Sequence, residues 1–520
     1  MSNKKTLAAF AAFVGCFFLP ISARRSSSAQ MLSAGSPTGD STRAPRTLPW
    51  FDSAAAIRRV TLKPNTQFWK FEHLSLDPKT SEEQLRHWKE QGIDAMEIFA
   101  PAESGNSYDG LDAINRFQLD PSVGTIDDFR QLVQRIHSLG MSVITFDNLG
   151  YSSTYDPQFL KGCSDVRAAR DTRESRLFLW SDTTHAPPPV RGNSYFLLRP
   201  NQPNYDAARN EFWQWDDRCQ HAYWTKWPGK DAHGNPTHLP QYNWAGNDWP
   251  DEADKVVRFW MDTGLDGMII DAVNWYVGYS WDKGNRHITD VIQSYGGSKF
   301  SQPEGAGAFH GDDSAGWITD GHWTNLQDYG LGVWWEKNND PLRASVIKSD
   351  PGLLEAALRS YHDRVVAVGG SLYVTVPVMH DEQQQQFVEA LLAASGDLLC
   401  YCGRADEKQE PASGIPALLK AKSQHPALYQ NSLRRRVPTN DDGKFYAFVR
   451  TSADGSERLL AVFNFQPQPA VIEVDAAAVN AAGFSALGTG EVAVIMDSKL
   501  RLELPARGYR LFVVHPPLSQ

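Results

Sequence analysis

The sequence lacks any excess of positive charge. It contains 51 lysine and arginine residues against 61 aspartate and glutamate residues, which gives a formal net charge of −10. Proteins that bind nucleic acid need clustered cations to neutralise the phosphates. The charge balance therefore argues against nucleic acid as a partner.

Long apolar runs are also scarce. One such run covers residues 7–21 and follows Lys4 and Lys5. It is too short and wrongly flanked for a membrane span, but it suits the apolar region of a secretory signal peptide. We therefore predict a signal peptide over residues 1–29, a polar lead-in segment over 30–55, and a secreted or periplasmic protein that does not use the membrane as a partner.

Cysteine is rare, with 5 residues in 520. Cys16 weakly resembles a lipid-attachment site, although the apolar residues after it favour an uninterrupted signal sequence. An exported chain could form a disulfide between Cys163 and Cys219. Cys400 and Cys402 lie in an apolar segment and are expected to be buried thiols, since no histidine or second cysteine pair follows at a spacing suited to a metal. We predict neither a metal site nor a cofactor.

The residues that are plentiful indicate a packed globular protein with more than one structural unit. The chain has 520 residues, of which 41% are hydrophobic and 22% charged. This length exceeds that of an ordinary single domain, and the composition does not match a disordered chain. The 17 tryptophans and 17 tyrosines either stack on the apolar faces of sugars or pack in the core.

A regular alternation of strand-like and helix-like segments runs from about residue 56 to residue 425. Such alternation predicts an α/β fold with a parallel sheet covered by helices. Asp147, Asp271 and Asp381 each follow an apolar strand-like run, and in a β/α barrel the carboxyl ends of the strands meet at one mouth. These three acids should therefore converge there, unless each of them caps the helix that follows.

Two parts of the chain depart from this alternation. Residues 150–250 are rich in proline, tryptophan, asparagine and tyrosine, and they are too numerous for an ordinary loop, which predicts an inserted subdomain. Residues 426–520 form short apolar runs separated by turn residues, which predicts an antiparallel β-domain. The barrel is then assigned to residues 56–149 and 251–425.

Several blocks of this sequence resemble the α-amylase superfamily, glycoside hydrolase family 13. Residues 108–147, which include the turn DPSVGT, are similar to the passage from the second helix to the third strand of the family. Residues 221–230 and 239–275 are similar to the passage into the nucleophile strand, most closely in the oligo-1,6-glucosidase and neopullulanase branches. The resemblance implies a (β/α)8 TIM barrel, a B subdomain after the third strand and a C-terminal β-sandwich.

The resemblance also implies a set of site residues. Asp271 matches the catalytic nucleophile, Glu304 the general acid/base and Asp381 the stabiliser of the transition state. In a retaining hydrolase, one carboxylate attacks the anomeric carbon while the other protonates the departing oxygen, and the two lie about 5 to 5.5 Å apart. Glu304 stands in a glycine-rich turn, so an exposed, non-catalytic glutamate is the alternative at that position. The matching substrate-site residues are Asp112, Asp147 and His380.

The match departs from the family at several places, which indicates a degenerate substrate site. The arginine usually found two residues before the nucleophile, where it keeps that carboxylate ionised, is replaced by Ile269. If another cation supports Asp271, the candidates are His380, Arg191 and Arg199. The calcium loop of some members has no counterpart here. The other replaced positions are Leu111, Tyr151, Ser152, Gln241 and Met379.

Two kinds of function are compatible with these residues. The first is a secreted retaining α-glycosidase, or a transglycosylase, that acts on α-glucosidic oligosaccharides through a covalent glycosyl-enzyme intermediate. The second is a catalytically impaired barrel that binds carbohydrate, and phosphorylase-like or isomerase-like relatives complete the range. The presence of three acids and His380 favours the enzyme, with an oligosaccharide as its substrate.

Overall fold

A computed structural model provides the fold of the chain. The residues it describes are 48–64, 66, 70–105, 110–181, 213–225, 227–230, 236–305, 314–328, 331, 341–379, 381–402 and 410–517. The predicted signal peptide and most of the lead-in segment lie outside these residues. Within the described ranges, none of the helices combines the length and the apolar character that a membrane span requires.

Eight parallel strands form the barrel of the central sheet, and the short strand Glu72–His73 pairs with the first of them. We label them β1 (Ala56–Thr61), β2 (Ala95–Phe99), β3 (Ser142–Asp147), β4 (Gly267–Ile270), β5 (Phe300–Pro303), β6 (Asn325–Gln327), β7 (Ser371–Thr375) and β8 (Leu398–Tyr401). The hydrogen-bonded order is β5-β4-β3-β2-β1-β8-β7-β6. The two edges meet where the Thr324 backbone N–H donates to the Ser301 carbonyl (3.2 Å) and the Ser301 N–H donates to Thr324 Oγ1 (2.8 Å). The predicted eight-stranded barrel is therefore confirmed.

Helices pack around this sheet, and their ends follow local sequence signals. The helix Ile126–Ser138 begins with a capping box, in which the side chains of Thr125 and Asp128 accept hydrogen bonds from each other's backbone N–H groups. Its buried positions recur at helical spacing and face the sheet. The principal helices around the barrel are Pro78–Glu90, Ile126–Ser138, Asp248–Met261, Asp290–Ser294, Ser314–Thr319, Pro341–Lys348, Pro351–Ala357, Asp363–Ala367, Glu382–Ser395 and Ile415–Lys422.

The inside of the barrel is filled by side chains from alternate strand positions, as expected for this fold. These residues form a cluster of their own, separate from the larger core between sheet and helices. We call this cluster the barrel interior; its members include Ile57, Phe99, Ile144, Phe146, Ile269, Phe300, Tyr373 and Cys400. Ile269 is fully buried there, so an aliphatic side chain occupies the position two residues before Asp271.

The segment between β3 and β4 holds the helices Pro157–Arg167 and Arg173–Arg176 and the antiparallel strands Trp180–Ser181, Trp213–Asp216 and His221–Trp224. A two-stranded ribbon, Pro228–Lys230 with Pro236–His238, follows. The predicted disulfide between Cys163 and Cys219 is confirmed and ties the first helix to the turn between two of the strands. Cys400 and Cys402 are free cysteines; Cys400 is buried, as predicted, whereas Cys402 is only half-buried.

The C-terminal part is built of two antiparallel sheets that share an apolar core. The first contains Leu433–Val437, Phe445–Thr451, Arg458–Asn464, Tyr509–His515, Gly483–Ala486 and Val492–Ala493, and the second contains Ala470–Asp475, Lys499–Leu504 and Ile495–Met496. Arg450 joins this unit to the barrel, because its buried guanidinium donates to the carbonyl of Ser395. The predicted C-terminal antiparallel β-domain is therefore confirmed.

Candidate active site

Asp271 lies at the carboxyl end of β4, next to the end of β3. Its backbone N–H donates to the carbonyl oxygen of Asp147 (2.7 Å), so the two acids occupy adjacent strand ends at the barrel mouth. The Asp271 side chain is 6% exposed and accepts a hydrogen bond from the phenol of Tyr151. The Tyr276 hydroxyl donates to the Asp271 carbonyl oxygen (2.6 Å), which fixes the backbone at this point.

The next residue connects Asp271 to Glu304. Ala272 adopts the left-handed conformation, with φ 48° and ψ 36°, which is uncommon outside glycine. In this conformation its backbone N–H donates to Glu304 Oε2 (3.1 Å). Glu304 follows β5, and its own N–H donates to the Ile270 carbonyl (2.8 Å). One turn of backbone therefore holds both carboxyl groups on neighbouring strand ends.

Burial governs the charge of this pair. Burial and the nearby charge of Glu304 raise the pKa of Asp271 well above its usual value, while the hydrogen bond from Tyr151 lowers it. Burial raises the pKa of Glu304 to about 7, although the Ala272 N–H lowers it. Glu304 is only 9% exposed, so the alternative of a solvent-exposed glutamate in the glycine-rich turn is wrong. Two buried, mutually repelling carboxyl groups tend to share one proton near neutral pH, which suits an acid and a nucleophile.

Asp147 presents a carboxylate with one oxygen already bound. Its Oδ1 accepts from the Asn148 backbone N–H (2.7 Å) and lies 3.6 Å from Arg116 Nη1. Burial raises the pKa of Asp147, and the charge of Arg116 lowers it. Within the described part of the chain, its buried Oδ2 has no hydrogen-bond partner. A sugar hydroxyl could supply that hydrogen bond, in keeping with the substrate role predicted for Asp147.

Asp112 is buried on the segment that leads away from the barrel mouth, where it is 1% exposed. Its carboxylate crowds Gly105, since a Cβ at that glycine would lie 2.6 Å from Asp112 Oδ2. The preceding residue, Leu111, packs in the barrel-interior cluster together with Tyr151 and Ala272. Leu111 thus places an aliphatic side chain in the barrel interior.

Asp381 is placed differently from the other acids. It is exposed and forms the N-cap of the helix Glu382–Ser395, accepting from the backbone N–H of Gln384 (3.1 Å). Among the described residues, no hydrogen bond or ion pair joins it to Asp271 or Glu304. Asp381 therefore caps the helix that follows it, which was the alternative to a role in the site. Its stabilisation of the transition state stays a prediction. His380 lies outside the described residues, as do Arg191 and Arg199.

Two charged residues that the sequence analysis did not select lie inside the barrel. Arg59 on β1 donates from Nε to Glu97 Oε1 on β2 (2.5 Å), and both side chains are almost completely buried. The available signal was the alternation of β1, which places Arg59 on the same face as the interior residue Ile57. A charged residue at an inward position of an apolar strand is uncommon and points to a specific partner.

Three aromatic rings line the region near Asp271. Trp227, from the inserted segment, lies 6.1 Å from Tyr151 and 6.4 Å from Trp275, measured between ring centroids. Trp227 and Trp275 are each half-buried. Rings of this kind stack on the apolar faces of sugars.

Among the residues that the structure describes, two clusters bring together potential metal ligands. In the first, the sulfurs of Cys163 and Cys219 are joined in the disulfide. In the second, Asp328, His362 and Asp397 lie close together in the core. Although burial lowers it, the charge of Asp397 and the hydrogen bond to Asp363 raise the pKa of His362 to about 9. The imidazole is then protonated near neutral pH, so a metal would have to displace this proton in order to bind.

Two family models match the chain. The α-amylase catalytic domain matches residues 81–304, and the maltogenic amylase C-terminal domain matches residues 436–511. The first of these ranges ends at Glu304 and contains Asp147 and Asp271, so it includes the carboxyl pair described above.

Individual proteins support the same assignment. Over 193 residues, 37% of this chain and 31% of the relative, the chain is 27% identical to a probable α-glucosidase of Rhizobium meliloti. Over 190 residues, 36% of this chain and 30% of the relative, it is 25% identical to a probable oligo-1,6-glucosidase of Bacillus subtilis. The matched part thus spans about a third of the length of these curated relatives.

The solved structures extend the similarity of fold to nearly the whole chain. The structure of trehalose-6-phosphate hydrolase from Bacillus licheniformis superposes with a TM-score of 0.66 at 12% identity, covering 90% of this chain and 100% of that one. Residues 81–304 therefore carry the α-amylase catalytic domain of glycoside hydrolase family 13, and residues 436–511 carry a C-terminal domain of the maltogenic-amylase type.

Proposed function

We propose that the protein is a retaining α-glycosidase that acts on α-glucosidic oligosaccharides. The observation that carries this proposal is the arrangement of Asp271 and Glu304, which are buried side by side at the mouth of the barrel and connected through the N–H of Ala272. The α-glucosidic preference follows from relatives named α-glucosidase and oligo-1,6-glucosidase. The raised pKa of Glu304, about 7, suits a group that must first give and then take a proton.

The reaction proceeds in two displacements. In the first, ionised Asp271 attacks the anomeric carbon, and protonated Glu304 gives its proton to the glycosidic oxygen that leaves. In the second, Glu304 removes a proton from water, which attacks the anomeric carbon and releases Asp271. When a sugar hydroxyl replaces that water, the same intermediate yields a transglycosylation product.

Four neighbouring residues prepare the site for this chemistry. The Tyr151 phenol donates to an oxygen of Asp271 and stabilises its ionised form. The buried Oδ2 of Asp147 accepts from a hydroxyl of the bound sugar. The half-buried indoles of Trp227 and Trp275 supply apolar faces for the sugar ring.

The decisive experiment measures turnover and product anomer. The purified protein is tested on p-nitrophenyl α-glucoside and on α-linked oligosaccharides, and NMR follows the anomer formed first. We expect retention, and a loss of activity of at least about a thousandfold in Glu304→Gln with the natural leaving group. An inverted first product would refute the retaining mechanism.

A second candidate function is carbohydrate binding without turnover. The placement of Asp381 as an exposed helix cap favours it, because capping accounts for this carboxylate without a role in the site. If the protein binds oligosaccharides but turns over none of the substrates, carbohydrate binding replaces the α-glycosidase as the proposed function.

One substitution separates the two roles of Asp381. Serine caps helices about as well as aspartate but carries no charge, so Asp381→Ser keeps the cap and removes the carboxylate. If Asp381 binds ring hydroxyls in the transition state, the variant loses about a hundredfold or more in kcat/KM at unchanged Tm. If Asp381 acts only as a cap, Asp381→Ser keeps its activity, whereas Asp381→Ala loses stability.

Export of the protein is part of the proposal. It is supported by the disulfide between Cys163 and Cys219, since disulfides persist mainly in oxidising compartments. Expression of the full chain followed by N-terminal sequencing of the exported product tests it. We expect cleavage within the first 29 residues, and retention of an uncleaved chain inside the cell would contradict export.

A further inference from the structure

A buried ion pair lies in the barrel interior beneath the two carboxyl groups. Arg59 on β1 donates to Glu97 on β2 (2.5 Å) and, through Nη2, to the hydroxyl of Tyr373 on β7 (3.1 Å). The Tyr373 hydroxyl donates in turn to the other oxygen of Glu97. Three strands on one side of the barrel thus hold a charged group in an apolar surrounding, and such groups are costly to bury without a function.

The strand registers place this ion pair close to the site. The guanidinium of Arg59 lies 5.1 Å from the ring centre of Phe146 on β3. Phe146 pairs with Ile269 on β4, and Ile269 pairs with Gln302 on β5. Since positions two apart on a strand share a face, Ile269 and Gln302 lie one layer beneath Asp271 and Glu304. Arg59 therefore packs against the layer that supports the carboxyl pair.

We propose that Arg59 is a positioning residue that keeps the Asp271 and Glu304 pair in its working charge state, with Glu97 limiting the positive charge that the pair experiences. The inference rests on the proposed glycosidase function. The positive charge near the nucleophile then comes from Arg59 on β1. Ile269 on β4, two residues before Asp271, fills the barrel interior instead of supplying that charge.

The electrostatics of the interior agree with this geometry. The charge of Arg59 lowers the pKa of both Asp271 and Glu304, and the charge of Glu97 raises that of Glu304. Charges act over longer distances here than in water because the surroundings have a low dielectric constant. The remaining titratable groups that face the carboxyl pair are Tyr151, Tyr276 and Asp147, and those that face Arg59 are Tyr373, Cys400 and Cys402.

The test uses two substitutions with opposite expected effects. Arg59→Met removes the cation, so both limbs of the kcat/KM profile on p-nitrophenyl α-glucoside should move to higher pH, by about one unit. Glu97→Gln removes the anion and leaves the cation uncompensated, so the limbs should move to lower pH. If Arg59 and Glu97 only stabilised the fold, the two substitutions would not move the limbs in opposite directions.

The chain offers a matched control in the neighbouring residue. Arg58 is equally buried but lies on the outer face of β1, where its guanidinium is 5.4 Å from the ring of Trp88 and pairs with Glu72. Arg58→Met should lower Tm as Arg59→Met does, without moving either limb. Restoring a cation from β4 in the double variant Arg59→Met, Ile269→Arg should return the limbs towards those of the parent.

The outcomes separate this inference from the proposed function. The inference is overturned if, in an active protein, the limbs of the pH profile stay in place in Arg59→Met and Glu97→Gln, or move in the same direction in both. If Arg59→Met fails to fold, the shift in Glu97→Gln decides alone. If the parent turns over no α-glucoside, the proposed function fails, and ¹³C NMR titration of labelled glutamates, with Glu304→Gln for assignment, tests the charge effect directly. A Glu304 titration unchanged by Glu97→Gln would then overturn the inference.

Discussion

Tyr151 offers a direct way to perturb the nucleophile. Its side chain is 4% exposed, and its phenol donates a hydrogen bond to a carboxylate that is itself buried. Tyr151→Phe removes the hydroxyl and leaves the ring, so the packing against Trp227 changes little. The carboxylate of Asp271 then loses a donor that only its ionised form uses fully.

The size of the effect follows from the burial of both partners. A hydrogen bond to a charged group contributes about 1.5 to 3 kcal/mol, and one pKa unit corresponds to about 1.4 kcal/mol. Removal of the hydroxyl should therefore raise the pKa of Asp271 by about 1 to 2 units. Because Asp271 must be ionised to attack, the acidic limb of kcat/KM should move to higher pH by a similar amount, subject to the sharing of protons with Glu304.

The assay is the pH dependence of kcat/KM for p-nitrophenyl α-glucoside in the parent and in Tyr151→Phe. The control is Tyr223→Phe, which removes another buried phenol in the inserted segment, where the ring packs against Phe159. The control should leave the limb in place. An acidic limb of Tyr151→Phe that stays at the parent's value, or moves to lower pH, would refute the reasoning, because the hydrogen bond would then not stabilise the anion.

Three further substitutions test the fold around the site. Gly267→Ala should destabilise the protein by about 2 kcal/mol or more in chemical denaturation, because φ is 153° and a Cβ would lie 2.0 Å from the Phe300 carbonyl oxygen; an unchanged midpoint would contradict this. Cys163→Ser should lower stability by about 2 to 4 kcal/mol, and reductant should lower Tm in the parent but not in this variant. His362 has its pKa raised from 6.5 to about 9 beside Asp397, so the stabilisation of about 3 kcal/mol is complete below pH 6.5 and is lost as pH rises through 9. Between pH 6.5 and 9, the Tm of the parent should fall relative to that of His362→Gln. Parallel curves of Tm against pH for the two proteins would disprove the ion pair between His362 and Asp397.

The sequence was sufficient to predict most of the fold. The alternation of apolar strands with amphipathic helices predicted the barrel, and the loss of that alternation after residue 425 predicted the C-terminal sheets. The same pattern placed Asp147 and Asp271 at strand ends, and the structure brings these ends together through a backbone hydrogen bond. These features depend on local periodicity, which a sequence displays directly.

The contacts that set the chemistry could not be predicted in this way. Tyr151 and Asp271 are separated by 120 residues, and Arg59 and Tyr373 by 314, so only the closure of the barrel brings them together. The position of Asp381 depends on whether its carboxylate turns towards the barrel or towards the first turn of its helix. Both orientations are compatible with the same sequence, because aspartate is a good N-cap.

Ala272 has a consequence for how this site tolerates change. A single peptide unit carries the N–H that holds Glu304, and it follows directly from the residue whose carboxylate pairs with it. The relative position of the two acids therefore depends on the main chain at Ala272, which Tyr276 stabilises through the Asp271 carbonyl, as well as on the side-chain conformations of the acids themselves. A substitution that changes the backbone at Ala272 should therefore disturb both reacting groups at once, whereas a substitution of a neighbouring side chain leaves this main-chain link in place.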